Sequence, residues 1–263
     1  MDLGLQNKIA LVAGASRGLG RAVAEELATE GASLIICARE TKTITETAND
    51  IANATGAHVL AITGDVSVHD DVKRIVESGL ARFGRIDILV TNAGGPPAGT
   101  FEDISPEQWE SATRLTLYSA IDLVRAVLPG MKERRWGRIL NITSIAVKQP
   151  VDNLLLSNSL RAAVTGFART LANEVAGDGV TVNNILPGYT RTERVEELAS
   201  MMAAKQRITA HEFKAKWESE IPMKRLGEPR ELAALAAFLV SERASYITGT
   251  SMQVDGGWIR SLL

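Results

Sequence analysis

The sequence predicts an α/β fold: a doubly wound parallel sheet with helices on both faces, in a single domain. Three observations carry this. Short apolar runs recur without internal alternation, as strands buried on both faces require. Helical periodicity fills the intervals between them, and repeated strand–helix units build a parallel sheet. The 263 residues contain no internal repeat, low-complexity tract or linker, so one domain is expected over residues 1–263.

The elements follow in order. "KIALVAG" is a strand, and Gly18 to Thr29 a helix with apolar positions at Leu19, Val23 and Leu27. "SLIICA" is the second strand, followed by a polar helix from about Thr41 to Ala54. "HVLAITGDV", "IDILVTNAG" and "GRILNITS" are further strands, with helices between them over Val68 to Phe83 and Pro106 to Met131. A long helical pattern from about Asn153 to Gly177 precedes a sixth strand, "VTVNNILPG". From Thr190 to Met223 the chain is rich in Met, Ala, Lys and Glu, and predicts one or two amphipathic helices broken near Ile208 and Thr209. Two roles fit this segment: a surface helix pair covering the core, or an extended helical lid over a substrate pocket, with Met201, Met202 and Phe213 in its apolar wall.

Composition narrows the function classes. The chain is 45% hydrophobic and 23% charged with net charge −2, so no basic face invites nucleic acid. A single cysteine, Cys37, excludes an internal disulfide framework and cysteine-rich zinc sites. His58, His69 and His211 are scattered without ligand spacing, and no metal is expected. The N-terminal stretch lacks the pattern of a signal peptide, and no apolar run is long enough to span a bilayer. The expected location is the cytoplasm.

"AGASRGLG", Ala13 to Gly20, lies between the first strand and the first helix. Gly14, Gly18 and Gly20 permit a tight turn and close backbone approach to a pyrophosphate. The helix that follows offers its unpaired N–H groups to the same anion. The second strand ends at Ala38 and Arg39, where an acidic residue would bind both ribose hydroxyls and repel a 2′-phosphate. Arg39, with Arg17 of the glycine loop, supplies planar forked donors suited to a phosphate, so NADP(H) is favoured over NAD(H).

With "TNAGG", "GRILNITS", "ILPGYTRT" and "YITGTSMQVDGG" in the same order along the chain, this glycine loop resembles that of the short-chain dehydrogenase/reductase family, and of its β-ketoacyl-carrier-protein reductase-like members. The resemblance implies a Rossmann-type sheet and a small carbonyl or alcohol substrate. It implies cofactor contacts at Gly14, Ser16, Arg17, Gly18, Leu19 and Gly20, and at Asp65 and Val66 beside the adenine. Asn92, Ala93 and Gly94 would lie beside the ribose and the central strand, and Pro187, Gly188, Thr190 and Thr192 would hold the nicotinamide carboxamide. It also implies a homotetramer with two-fold axes, using the helices at Pro106–Met131 and Asn153–Gly177 and the C-terminal "SMQVDGGWIRSLL".

The family's acid–base set is where this chain departs. Members use a tyrosine to move the substrate proton, a lysine four residues later, a serine and an asparagine. Ser144 matches the serine. Counting forward from Ser144 reaches Ser157 at the tyrosine, and counting back from "AAVTGFARTLANE" reaches Arg161 at the lysine. The two positions are i and i+4 on one helix face. Counting from Trp109 puts Thr116 at the asparagine. A serine hydroxyl is far less acidic than a phenol, and arginine cannot give up its proton in a protein. Three readings follow: an oxidoreductase with altered catalysis, drawing its proton from Ser144, Ser157, water or Tyr189; a dinucleotide-binding protein with little turnover, acting as a sensor or partner subunit; or a different chemistry on a bound dinucleotide.

Overall fold

The computed structural model describes residues 2–262, Lys205 by its backbone only. Seven parallel strands form one sheet: β1 (Ile9–Ala13), β2 (Ser33–Ala38), β3 (Val59–Thr63), β4 (Ile88–Thr91), β5 (Gly137–Ile142), β6 (Val180–Pro187) and β7 (Ser251–Val254). Their order is β3-β2-β1-β4-β5-β6-β7, every neighbouring pair parallel. Around them run α1 (Gly18–Thr29), α2 (Thr41–Thr55), α3 (His69–Phe83), α4 (Pro106–Thr113), α5 (Ser119–Glu133), α6 (Leu155–Val175), α7 (Glu193–Gln206), α8 (Ala210–Glu220) and α9 (Pro229–Leu239).

The unbroken apolar runs are explained by burial on both faces. Along β1, Ala10 and Val12 pack on one side with Val23 and Leu27 of α1, Ile44 of α2 and Leu232 of α9. Leu11 and Ala13 pack on the other side with Ile75 of α3, Leu123 of α5 and Leu171 of α6. Each large side chain buried in this way contributes about 1.5–3 kcal/mol, so neither face of the sheet tolerates water. Among the described residues, no helix is long and apolar enough to cross a membrane.

Three boundaries refine the sequence expectations. The helix expected over Pro106–Met131 is interrupted by a π-helical turn at Arg114–Tyr118, between α4 and α5. The segment expected to break near Ile208 and Thr209 does so: α7 ends at Gln206, and α8 restarts with a capping box in which Thr209 and Glu212 satisfy each other's backbone N–H groups. The α7–α8 hairpin has its own apolar cluster, with Ala199, Ala203, Phe213 and Trp217 buried in it. α9 is not among the expected elements, although Pro229 in its first turn and the apolar spacing of Leu232, Ala236 and Leu239 are a helix signal.

The sheet order reverses direction between β1 and β4. The helices after these strands leave to opposite faces and open a crevice at the strands' carboxyl ends, where ligands bind in folds of this kind. A chain of buried hydrogen bonds aligns the strand ends beneath that crevice. Thr91 Oγ1 donates to Asn141 Oδ1 at 2.7 Å, Asn141 Nδ2 to Asn184 Oδ1 at 3.0 Å, and Asn184 Nδ2 to Ser251 Oγ at 3.1 Å. A network satisfied this fully holds β4 to β7 in one register.

Candidate active site

The glycine loop is shaped by what it must pack against. Asn92, at the end of β4, donates its Nδ2 to the Gly14 carbonyl at 3.1 Å. A Cβ on Gly20 would collide with that carbonyl oxygen and lie 2.7 Å from Asn92 Nδ2, so only glycine fits. α1 then begins with no side chain capping its N-terminus, and its first N–H groups remain available to an anion. Leu19 turns its side chain onto the core. Thr47 Oγ1 donates to the Ser16 carbonyl at 3.0 Å, fixing the loop to α2.

The loop from β6 to α7 closes on this cradle. Thr192 caps α7 by accepting from the Val195 N–H, and its methyl group lies 3.6 Å from where a Cβ of Gly18 would stand. Arg17 pairs with Glu193 of α7 at 2.6 Å, both side chains largely exposed. Upstream, the Gly188 N–H donates to the Val254 carbonyl at 2.9 Å, and the buried Thr190 donates to the Gly188 carbonyl at 3.3 Å. The turn from Pro187 to Thr192 is therefore pinned at both ends.

At the outer edge, Arg39 is exposed, and its guanidinium makes no ion pair or hydrogen bond among the described residues. The neighbouring Glu40 carboxylate accepts from Thr43 at 3.3 Å, which turns it onto its own helix. Asp65 accepts from the Ser67 N–H and hydroxyl through Oδ1, its Oδ2 makes no hydrogen bond among the described residues, and Val66 is buried in the core.

On the far side of Asn92, a recess is lined by Thr91, Asn92, Ala93, Thr116, Thr143 and Arg161, among others. Its free volume is only about 20 Å³, room for roughly one water molecule. Thr116 lies in the π-turn, 8% exposed, and its Oγ1 has no hydrogen-bond partner among the described residues. Turns of this kind recur at functional sites. Arg161 donates from Nη1 to the Ile142 and Thr143 carbonyls at 3.0 and 2.9 Å. Its Nε and Nη2 have no partner among the described residues. Burial, and next the nearby Arg194, push its guanidinium down to about 10, which leaves it charged at neutral pH.

The remaining expected residues are placed less tightly. Ser157 stands one turn before Arg161 on α6, part-buried, with a hydroxyl that makes no hydrogen bond among the described residues. Ser144 accepts from the Ala146 N–H at 3.1 Å and caps the short 3-10 turn after β5. Neither serine lines the recess. Tyr189 is stacked on Trp217 at 4.4 Å between centroids and meets Trp258 edge-on at 5.8 Å. Burial, then the carboxylates of Glu220 and Asp152, push its phenol up to about 12, a poor acid near neutral pH. It is a packing residue beneath the α7–α8 hairpin, so the possibility of Tyr189 as proton donor is not supported by its surroundings.

Arg194 was not among the expected residues. Its Nη2 donates to the Pro96 carbonyl at 2.9 Å, and its guanidinium lies 3.0–3.4 Å from where a Cβ of Gly95 would stand. It spans the crevice from α7 to the loop after β4. Its only sequence signal is its place two residues after Thr192.

The chain is similar to known proteins over nearly all of its length. A family model described as enoyl-(acyl carrier protein) reductase matches residues 14–259. The NADPH-dependent reductase BacG of Bacillus subtilis is 33% identical, with 98% of this chain and 100% of that one aligned. The 3-oxoacyl-[acyl-carrier-protein] reductase FabG of Haemophilus influenzae is 36% identical over 96% of this chain and 98% of its own. The crystal structure of L-sorbose reductase from Gluconobacter frateurii, complexed with NADPH and L-sorbose, superposes with a TM-score of 0.95 at 35% identity over the whole of both chains. From the glycine loop to the last strand, the chain belongs to the short-chain dehydrogenase/reductase family.

Proposed function

We propose that this chain is an NADP(H)-dependent reductase of small carbonyl compounds, working with an altered proton-transfer set. The observation that carries the cofactor reading is the free Arg39 guanidinium at the tip of β2, with Glu40 turned away. The relatives named for NADPH dependence, or crystallised with NADPH, support the same preference.

The residues present fit the cofactor. Gly14, Gly18, Gly20, Ser16 and Arg17 with the α1 N-terminus would hold the pyrophosphate, and Arg39 the 2′-phosphate. Leu19 would contribute its backbone at the first turn of α1. Asp65 Oδ2 has the free acceptor an adenine amino group needs, with Val66 beside it. Asn92, Ala93 and Gly94 would border the adenosine-side ribose, and Pro187, Gly188, Thr190 and Thr192 the carboxamide. When bound, the cofactor supplies hydride to the carbonyl carbon.

The chain must then stabilise and protonate the carbonyl oxygen. Ser157 and Arg161 stand where family members carry tyrosine and lysine, and Thr116 where they carry asparagine. Ser144 orients the oxygen. Ser157, whose hydroxyl is uncommitted, donates to it and recovers a proton from water. Arg161 would hold ribose hydroxyls through its unengaged Nε and Nη2, and its charge would favour the developing oxyanion. It relays no proton. A positioned acid–base group contributes about 10²–10⁴-fold, so the absence of a phenol predicts weak turnover of ordinary ketoreductase substrates. Residues 190–223, the α7–α8 hairpin, serve as the substrate lid. The half-exposed Tyr118 and fully exposed Tyr246 offer apolar surface for assembly into a homotetramer.

The test pairs a titration of NADPH with turnover over a panel of carbonyl compounds. Binding with slow turnover is expected. No binding of NADPH at millimolar concentration would remove the reading.

A further inference from the structure

The loop between β3 and α3 holds Asp65 by every polar group but one. Its carbonyl accepts from the Val68 N–H at 2.9 Å, and its Oδ1 from the N–H and hydroxyl of Ser67 at 2.9 and 2.7 Å. Its own N–H donates to Asp71 Oδ2 at 2.8 Å. Oδ2 of Asp65 is left as the acceptor with no hydrogen bond among the described residues.

Asp71 reaches back to this N–H from the first turn of α3, where the helix N-terminus favours its charge. Arg74, one turn on, donates from Nη2 to Asp71 Oδ1 at 2.7 Å and to the Thr63 carbonyl at 2.8 Å. The guanidinium thus ties α3 to the end of β3. The Asp65 N–H, and next Arg74, hold the Asp71 carboxyl below the usual carboxylate range, so it is ionised at neutral pH. Gly64 completes the frame. Its N–H donates to the carbonyl of Ala38, the residue before Arg39, at 2.9 Å. A Cβ on Gly64 would stand 3.0 Å from Ile75 Cδ1 and 3.2 Å from Arg74 Nη2. The Asp71–Arg74 pair is 30% and 51% exposed and adds little to stability. α3 is held on the sheet by Val72, Ile75 and Val76. The effect of the pair is on where the loop sets Asp65.

A carboxylate oxygen only accepts, so one fixed in place distinguishes an amino group from a carbonyl. Adenine carries an amino group at C6, and hypoxanthine a carbonyl oxygen that would face the carboxylate unfavourably.

We propose that Asp71, held by Arg74, is a positioning residue that aims Asp65 Oδ2 at the amino group of the cofactor's base, and so makes the site selective for adenine over 6-oxopurine dinucleotides. This rests on the adenine contact given to Asp65 above, and the experiment separates the two.

NADPH and its hypoxanthine analogue are titrated by calorimetry into the parent, Asp71→Ala and Asp71→Asn, with melting temperature recorded for each. The parent is expected to favour NADPH by about 10-fold or more, the size of a hydrogen bond to a charged group. In Asp71→Ala the preference falls to near parity, because the adenine form alone loses affinity. Asp71→Asn keeps an acceptor for the Asp65 N–H but loses the charge opposite Arg74, and its preference is intermediate. An Asp71→Ala protein that keeps the full preference overturns the proposal. So does one that binds both dinucleotides more weakly by the same factor, since Asp71 would then only support the loop. If Asp71→Ala does not fold, an unchanged preference in Asp71→Asn overturns the proposal and a reduced one supports it. A parent that binds both dinucleotides equally removes the adenine contact at Asp65, and the role of Asp71 with it. A parent that does not bind NADPH removes the cofactor reading as a whole.

Discussion

Replacing Ser157 by Tyr together with Arg161 by Lys tests the central mechanistic claim. The change introduces a phenol one turn before an ammonium, on the face of α6 that meets the end of β5. A phenol placed near a cation has its acidity shifted toward neutral, and a tuned acid contributes about 10²–10⁴-fold. The full gain is not expected. Thr116 Oγ1 remains unpartnered in the recess, so proton delivery from behind is not rebuilt. A net rise of about 10-fold or more in kcat for a simple activated ketone is the expected result. Stability falls in parallel. Arg161 Nη1 now satisfies both the Ile142 and Thr143 carbonyls. If the shorter lysine retains one of these bonds, the loss is about 1.5–3 kcal/mol, or roughly 3–12 °C in melting temperature. The assay is NADPH oxidation at saturating cofactor, from mildly acidic to mildly alkaline pH, on parent and double variant, with calorimetric melting as the control. A parent that reduces simple ketones at ordinary family rates would refute the reasoning, because another group would already supply the proton. A folded, NADPH-binding double variant with no gain would refute it too.

Three further outcomes are expected. Arg39→Asp should reverse the preference from NADP(H) to NAD(H), read by calorimetry at matched ionic strength; equal affinities of the parent for both cofactors would contradict the role given to Arg39. Thr116→Val replaces a buried hydroxyl that has no protein partner, so stability should change by less than about 1 kcal/mol; a loss above about 2 kcal/mol in denaturant melts would mean that the hydroxyl is bonded through water. Light scattering at micromolar concentration should give a tetramer mass, and a monomer would end the assembly proposal.

Much of the fold is legible because strands and helices write their burial locally. "IALVA" and "SLIICA" are apolar throughout, and the structure packs them between two helical layers. The glycine loop and the i, i+4 pair Ser157 and Arg161 are equally local, since their spacing and their place between elements are properties of the chain itself. The π-turn at Thr116 leaves no such trace. "ATRLTLYSA" carries ordinary helical periodicity, whereas in the structure α4 and the π-turn both pack against α6.

What only the tertiary structure decided lies in contacts between distant residues. Arg17 meets Glu193 across 176 positions, and Arg194 meets Pro96 across 98. No local period encodes such pairs, because they exist only once the loops after β1, β4 and β6 converge at the carboxyl ends of the strands. The same convergence packs Tyr189 between Trp217 and Trp258 and brings Arg194 to the Pro96 carbonyl. The sequence by itself determined the strands, the glycine loop and the identity of the side chains along α6. Packing determined which of those side chains keep free donors, because hydrogen bonding and charge balance are settled by neighbours in space rather than along the chain.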